Sequence, residues 1–187
     1  VDEPAFDEYI VGCDLIADLN SATVLRNRSG VTSELNSITG WNVLPSDQLL
    51  IEVSVKNRGI TTSTSADVLI THPDGQTSRH MMSPLATYAV HKVNFTWTVP
   101  ADSPIGIIPM SWEADPDAVN SADANSTNNY AQLNLNVGRL PTALANNLLV
   151  QTNQVVLIDA SQSFDEDGGE VFCKFAVTFE DGSRQLN

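Results

Sequence analysis

Four carboxylates, Asp159, Asp165, Glu166 and Asp167, fall close together in the chain just ahead of Gly168 and Gly169. Side-chain oxygens gathered on a tight turn are the donors calcium prefers, which takes roughly 6–8 of them without strict geometry. This acidic turn is therefore the candidate metal site, and calcium the candidate cofactor. Its spacing departs from an EF-hand, because no Glu stands at the twelfth loop position. A plainer role is also open, in which Asp159 and Ser161 hydrogen-bond the turn backbone. Asp115, Asp117 and Asp123 form a second acidic set.

The other residue types that could do chemistry are not arranged to do it. His72, His80 and His91 lack the short spacings of a zinc site. No Gly-x-Ser-x-Gly elbow is present to activate a serine. Paired carboxylates such as Asp115 and Asp117 read as solvated or capping groups rather than as an acid and a base. No catalytic residue is assigned, and the chain is expected not to be an enzyme. Asn27-Arg28-Ser29, Asn94-Phe95-Thr96 and Asn125-Ser126-Thr127 are sequons, so Asn27, Asn94 and Asn125 are candidate glycosylation sites.

Charge narrows the partners. Nine Lys and Arg stand against 23 Asp and Glu, a formal charge of -14, which repels a nucleic-acid backbone rather than neutralising it. No apolar run approaches the roughly 20 residues that span a bilayer, so no membrane insertion is expected within this chain. Val1-Asp2-Glu3-Pro4 reads as the start of a mature or excised chain. Cys13 and Cys173 lack metal-ligand spacing. They read as buried, reduced thiols, with a disulfide between them left open.

The elements that must position these residues are strands. Ile51, Val53 and Val55 alternate with polar residues, as do Val93, Phe95, Trp97 and Val99, then Leu133, Leu135 and Val137, and later Val171, Cys173, Phe175, Val177 and Phe179. This is the two-residue repeat of strands with one buried face. Asn57-Arg58-Gly59, Pro73-Asp74-Gly75, Asp102-Ser103-Pro104, Asp167-Gly168-Gly169 and Asp181-Gly182 separate the apolar runs with turn-forming residues. Gly59 is expected to turn the chain through a positive φ. Trp97 is expected to be the large buried aromatic, with Trp112 buried as well and Trp41 exposed. The stretch from Ser21 to Ser46 reads as a long loop. Short strands, regular turns and no helical repeat predict an all-β antiparallel sandwich.

Two resemblances follow from particular residues. Asp14-Leu15-Ile16, Ile51-Glu52-Val53-Ser54-Val55-Lys56-Asn57-Arg58-Gly59, Phe95-Thr96-Trp97-Thr98-Val99-Pro100 and Asp123-Ala124-Asn125-Ser126-Thr127-Asn128-Asn129 resemble the CARDB family of cell-adhesion-related domains. Val156 to Gly168 and Phe175 to Ser183 resemble the opening half of a PKD domain, although that family usually has Trp at Val177 and Gly at Glu180. Together they imply an immunoglobulin-like sandwich over 13–138 and a partial second one over 139–187, after an N-terminal extension of 1–12.

The resemblances imply a prokaryotic, in the first instance archaeal, cell-surface or secreted protein. Its function would be that of a non-catalytic structural or adhesion module of a filament or surface layer. Protein partners or copies of itself would cover the open edges of the partial sandwich. Two other functions remain in view. One is an accessory region of a secreted hydrolase whose catalytic domain lies outside this chain. The other is a carbohydrate-binding module, which would need exposed aromatics in a row.

Overall fold

The computed structural model describes residues 12–38, 40–145, 157–168, 170–178 and 184–186. The chain divides into two compact units, Val1–Val137 and Gly138–Asn187. Apart from two single-turn 3-10 segments, Leu19–Ser21 and Ser126–Asn128, the regular structure is all strand.

The first unit stacks two sheets. In one, β5 (Gln48–Asn57) is the long central strand, with β8 (Val90–Thr98) antiparallel to it on one side. Its other side is shared by β1 (Leu15–Ala17) and β2 (Thr23–Arg28), each antiparallel to β5, and β3 (Val31–Leu35) pairs beyond β2. The second sheet runs β4-β10-β9-β6-β7, from β4 (Asn42–Val43), β10 (Tyr130–Val137), β9 (Gly106–Ala114), β6 (Ala66–Thr71) and β7 (Thr77–Met82). Its neighbours are antiparallel, except that β4 lies parallel to β10.

Alternation supplies the interior. Leu49, Ile51, Val53 and Val55 of β5 are buried against Val68 and Ile70 of β6, Met110 and Trp112 of β9, and Leu133, Leu135 and Val137 of β10. Trp112 is fully buried, and its indole Nε1–H donates to the Ser54 carbonyl at 3.0 Å. One side chain thus spans from the second sheet to the first, and its polar tip is satisfied as a buried indole requires.

Trp97 departs from expectation: it is only partly buried, packing against the core from β8, an edge strand. Trp41 departs in the other direction, partly buried against the same core. Ser21 to Ser46 is not a loop. It contains the β2–β3 hairpin, turned at Ser29 (φ 51°) and Gly30 (φ 84°), and the parallel strand β4.

Gly59 is needed for a different reason than a positive φ. A Cβ there would lie 2.2 Å from the Gly12 carbonyl oxygen and 2.6 Å from Cys13 Cα, so the crossing of two backbone segments excludes any side chain.

In the second unit, β11 (Ala176–Thr178) pairs antiparallel with β12 (Arg184–Leu186), and Thr142 bridges Phe164. The strand expected over 171–179 is shorter: residues 171–175 are irregular, Cys173 is exposed, and Phe179 and the Asp181-Gly182 turn lie outside the described residues. Both cysteines are free, Cys13 buried and Cys173 not. Among the described residues no helix is long and apolar enough to cross a membrane.

Candidate functional site

The acidic turn of the second unit uses its carboxylates locally. Asp159 Oδ1 accepts from the Ser161 N–H at 2.8 Å, and this contact holds its carboxyl below the usual value. Asp165 Oδ1 accepts from the Asp167 N–H at 3.3 Å, while Asp167 Oδ2 accepts from the Arg139 N–H at 2.9 Å. The two side chains also meet, which raises the Asp165 carboxyl and lowers that of Asp167, as when one proton serves two carboxylates. Gly168, at φ +85°, closes the turn with its N–H on the Asp165 carbonyl. Glu166 is exposed. Among the described residues no three His, Cys, Asp or Glu side chains converge to hold a metal ion. Within the turn, the carboxylates brought into contact are those of Asp165 and Asp167.

A denser polar cluster lies at one end of the first sandwich, where the chain enters β1, leaves β5 and approaches β10. Asn57, fully buried, uses all its side-chain capacity. Its Oδ1 accepts from the N–H groups of Asp14 and Gly59, and its Nδ2 donates to the carbonyls of Thr61 and Leu85. Asp115 is tied to its own loop, accepting from the N–H groups of Val119 and Asn120 and from Asn120 Nδ2. Asn120 Oδ1 in turn accepts from the Thr64 N–H and hydroxyl. Asp117 pairs instead with Arg79 at the surface. Of the second acidic set, only Asp115 and Asp123 thus belong to this end.

Asp14 and the loop 123–129 complete the cluster. Cys13 bridges Asp123 in parallel register, and the Ala124 N–H donates to the Cys13 carbonyl. Asn128 Nδ2 donates to Asp14 Oδ1, and Asn129 Nδ2 donates to Asp123 Oδ2, both at 3.0 Å. Burial first, and then the Asp123 carboxylate, push the Cys13 thiol up. That thiol is therefore kept protonated and is a poor nucleophile.

The three histidines, far apart in sequence, gather where β7 and β8, edge strands of opposite sheets, face each other. Ser78 Oγ bridges His72 Nε2 at 2.7 Å and His80 Nε2 at 3.0 Å, and the His72 ring meets Phe95 edge-on with centroids 4.6 Å apart. Burial, and then the nearby His80, lower the pKa of His91. Pairing of β6 with β7 brings His72 and His80 together, and the stacking of the two sheets, rather than sequence spacing, adds His91.

An open groove of about 470 Å³ is lined by Leu25, Leu50, Thr96 and Trp97 among others, none of them ionisable. Of the sequon residues, Asn94 on β8 and Asn125 ahead of the second 3-10 turn are exposed. Asn27 is half-buried on β2, with its Oδ1 accepting from the Gly30 N–H.

Comparison with known proteins places this arrangement. No family model and no curated protein matches the chain. Among solved structures, the crystal structure of the CARDB domain of a Pyrococcus furiosus protein, in complex with di-metal ions, superposes with a TM-score of 0.50 at 17% identity, covering 73% of this chain and 99% of that one. A domain of a candidate cell surface protein from Methanosarcina acetivorans gives 0.44 at 18% identity, covering 68% of this chain and 92% of that one. At these identities the likeness concerns the fold. The fold is an immunoglobulin-like β-sandwich, the architecture of the Pyrococcus CARDB domain.

Proposed function

We propose that this chain is a non-catalytic structural or adhesion module of a prokaryotic cell-surface protein, acting as a spacer and contact surface in a larger assembly. The observation that carries this reading is how the reactive side chains of the first unit are used. Asn57, Asp115 and Asn120 are engaged in bonds that tie loops together, and the buried Asp47 is bonded to Arg28. The groove presents no acid, base or nucleophile. Catalysis needs such groups within reach of one reacting atom, whereas a module that bears load needs its ends knotted. The fold likeness to a CARDB domain supports the same reading, as do the exposed Leu140, Leu157 and Phe172 of the second unit, which suit a protein partner or another copy.

Beads coated with the full chain test it. Homotypic clustering that excess soluble chain blocks is the expected result; beads that stay dispersed, with the chain a monomer in sedimentation, would overturn it.

A second reading has one specific observation behind it. Trp97 is only partly buried and lines the open groove, and an accessible indole beside Thr and Gln side chains is a surface on which a sugar ring can stack. Binding to an oligosaccharide array that is abolished by Trp97→Ala, in beads that do not cluster, would favour a carbohydrate-binding module.

A further inference from the structure

Of the four buried side-chain polar atoms that lack a hydrogen-bond partner among the described residues, three are acceptor oxygens on side chains of one hydrogen-bonded cluster: Asp14 Oδ2, Asn128 Oδ1 and Asn129 Oδ1. The fourth, Arg26 Nε, lies elsewhere in the fold. Asp14 is fully buried and Asn129 is 6% exposed. Each of the three oxygens belongs to a side chain whose other polar atom is already bonded within the cluster, Asn128 to Asp14 and Asn129 to Asp123. The amides are thus held with their oxygens turned away from these partners. Leaving a buried acceptor unmet costs about 1–3 kcal/mol apiece, and native proteins keep such groups to a few per roughly 100 residues. Three together, all of one polarity, call for a shared positive partner.

We propose that a hard divalent cation of the calcium type binds at this end of the first sandwich, between Asp14 and the Asp123–Asn129 loop. The donors are oxygens only, one buried carboxylate with amide groups beside it, which suits calcium rather than zinc. The site is distinct from the acidic turn of the second unit, and it does not depend on the adhesive role proposed above. It also differs from a cage of carboxylates, in keeping with the lack of three converging acidic or histidine side chains. The nearest competing cation is Arg58, whose Nε stands 4.0 Å from Asp14 Oδ2, beyond hydrogen-bond reach, on a side chain 51% exposed. Its exposure leaves it free to swing outward when the metal enters. Asn57, Asp115 and Asn120 beside it are bonded to the loops that flank the site and so help to fix its shape.

Calorimetric titration of the full chain with calcium alone tests this, beside Asp14→Asn, Arg58→Gln and the double variant Asp165→Asn/Asp167→Asn. The wild type is expected to bind one ion saturably, in the micromolar to millimolar range of about 10⁻⁵–10⁻³ M. Asp14→Asn keeps the acceptor used by Asn128 and should weaken binding at least about tenfold, the effect of losing one charged ligand. Arg58→Gln leaves the backbone contacts of residue 58 untouched and should tighten binding several-fold by removing the competitor. No saturable heat in the wild type would overturn the proposal and leave ordered water as the partner of these oxygens. So would unchanged affinity in Arg58→Gln, the result that still decides if Asp14→Asn does not fold. Loss of binding only in the Asp165/Asp167 variant would move the metal to the second unit and overturn it equally.

Discussion

Ile51, Val53 and Val55 in β5 and Val171, Cys173 and Phe175 in the second unit repeat apolar residues at the same spacing, with opposite outcomes. The first three are buried to within 1% of their surface. Of the second three, Cys173 is exposed and the other two are half-buried, and beside them Phe172 is 87% exposed. Alternation specifies which side chains share a face; it does not supply the layer that face must meet. In the first unit β6, β9 and β10 are that layer, and Trp112 reaches from it to the opposite backbone. Among its described residues, the second unit has no buried side chain.

The contrast can be broken at its strongest point. Trp112→Ala should cost about 3–5 kcal/mol, since it opens a cavity between the sheets and leaves the Ser54 carbonyl with the Asp18 N–H but without the indole donor. Phe172→Ala should stay within about 0.5 kcal/mol. Urea unfolding of both variants measures the pair, and equal losses would show that the second unit has a core of comparable worth.

Next in size is the ion pair beneath the β2–β3 hairpin. Asp47 is 1% exposed and takes both arms of the Arg28 guanidinium, at 2.8 and 2.7 Å, together with the Leu44 N–H. Burial alone would raise this carboxyl, but the Arg28 and Leu44 contacts outweigh it and hold it below its ordinary 3.8. Because the folded value is the lower one, its contribution is complete above the unfolded carboxylate value and fades as pH falls through the folded value. Arg28→Ala should therefore cost on the order of 3 kcal/mol at neutral pH by stranding a buried charge. It should also flatten the acid limb of a plot of stability against pH below about pH 4.

Gly59→Ala should lose about 2 kcal/mol in the same unfolding measurement, because the crossing with Gly12 and Cys13 must open to admit a methyl group. A smaller effect belongs to His91. Burial and His80 lower its pKa from 6.5, so the unfolded chain takes up the proton first. Stability should then decline as pH drops through about 6.5 and level off below the folded value. His91→Gln should reduce that slope without moving the midpoint measured at alkaline pH.

Much of this architecture was legible in the residues. The faces of β5, β8 and β10 follow directly from their alternation. Trp97 and Trp112 both sit at inward positions of such repeats, yet which one lies at the centre depends on strand order: β9 is flanked by β10 and β6, whereas β8 is an edge. Strand order is a tertiary property that a local repeat does not carry. The β2–β3 hairpin was hidden because Arg26, Asn27 and Arg28 interrupt the apolar rhythm, although Ser29-Gly30 is a turn signal in plain view. Asp123 stood out as an acidic residue, and Asp14 and Asn128 only as parts of a family resemblance. Their meeting spans 114 positions, and no spacing rule foretells it.

The last strand of the first unit has a mechanical consequence. β10 is bonded along its whole length to β9, and at its C-terminal end, Asn136 and Val137, also to β4. Inter-strand bonds run across the strands, so tension applied along the chain at Val137 loads these bonds in shear, all together, instead of peeling them singly. A module threaded into a stretched tether at that point would yield late and abruptly.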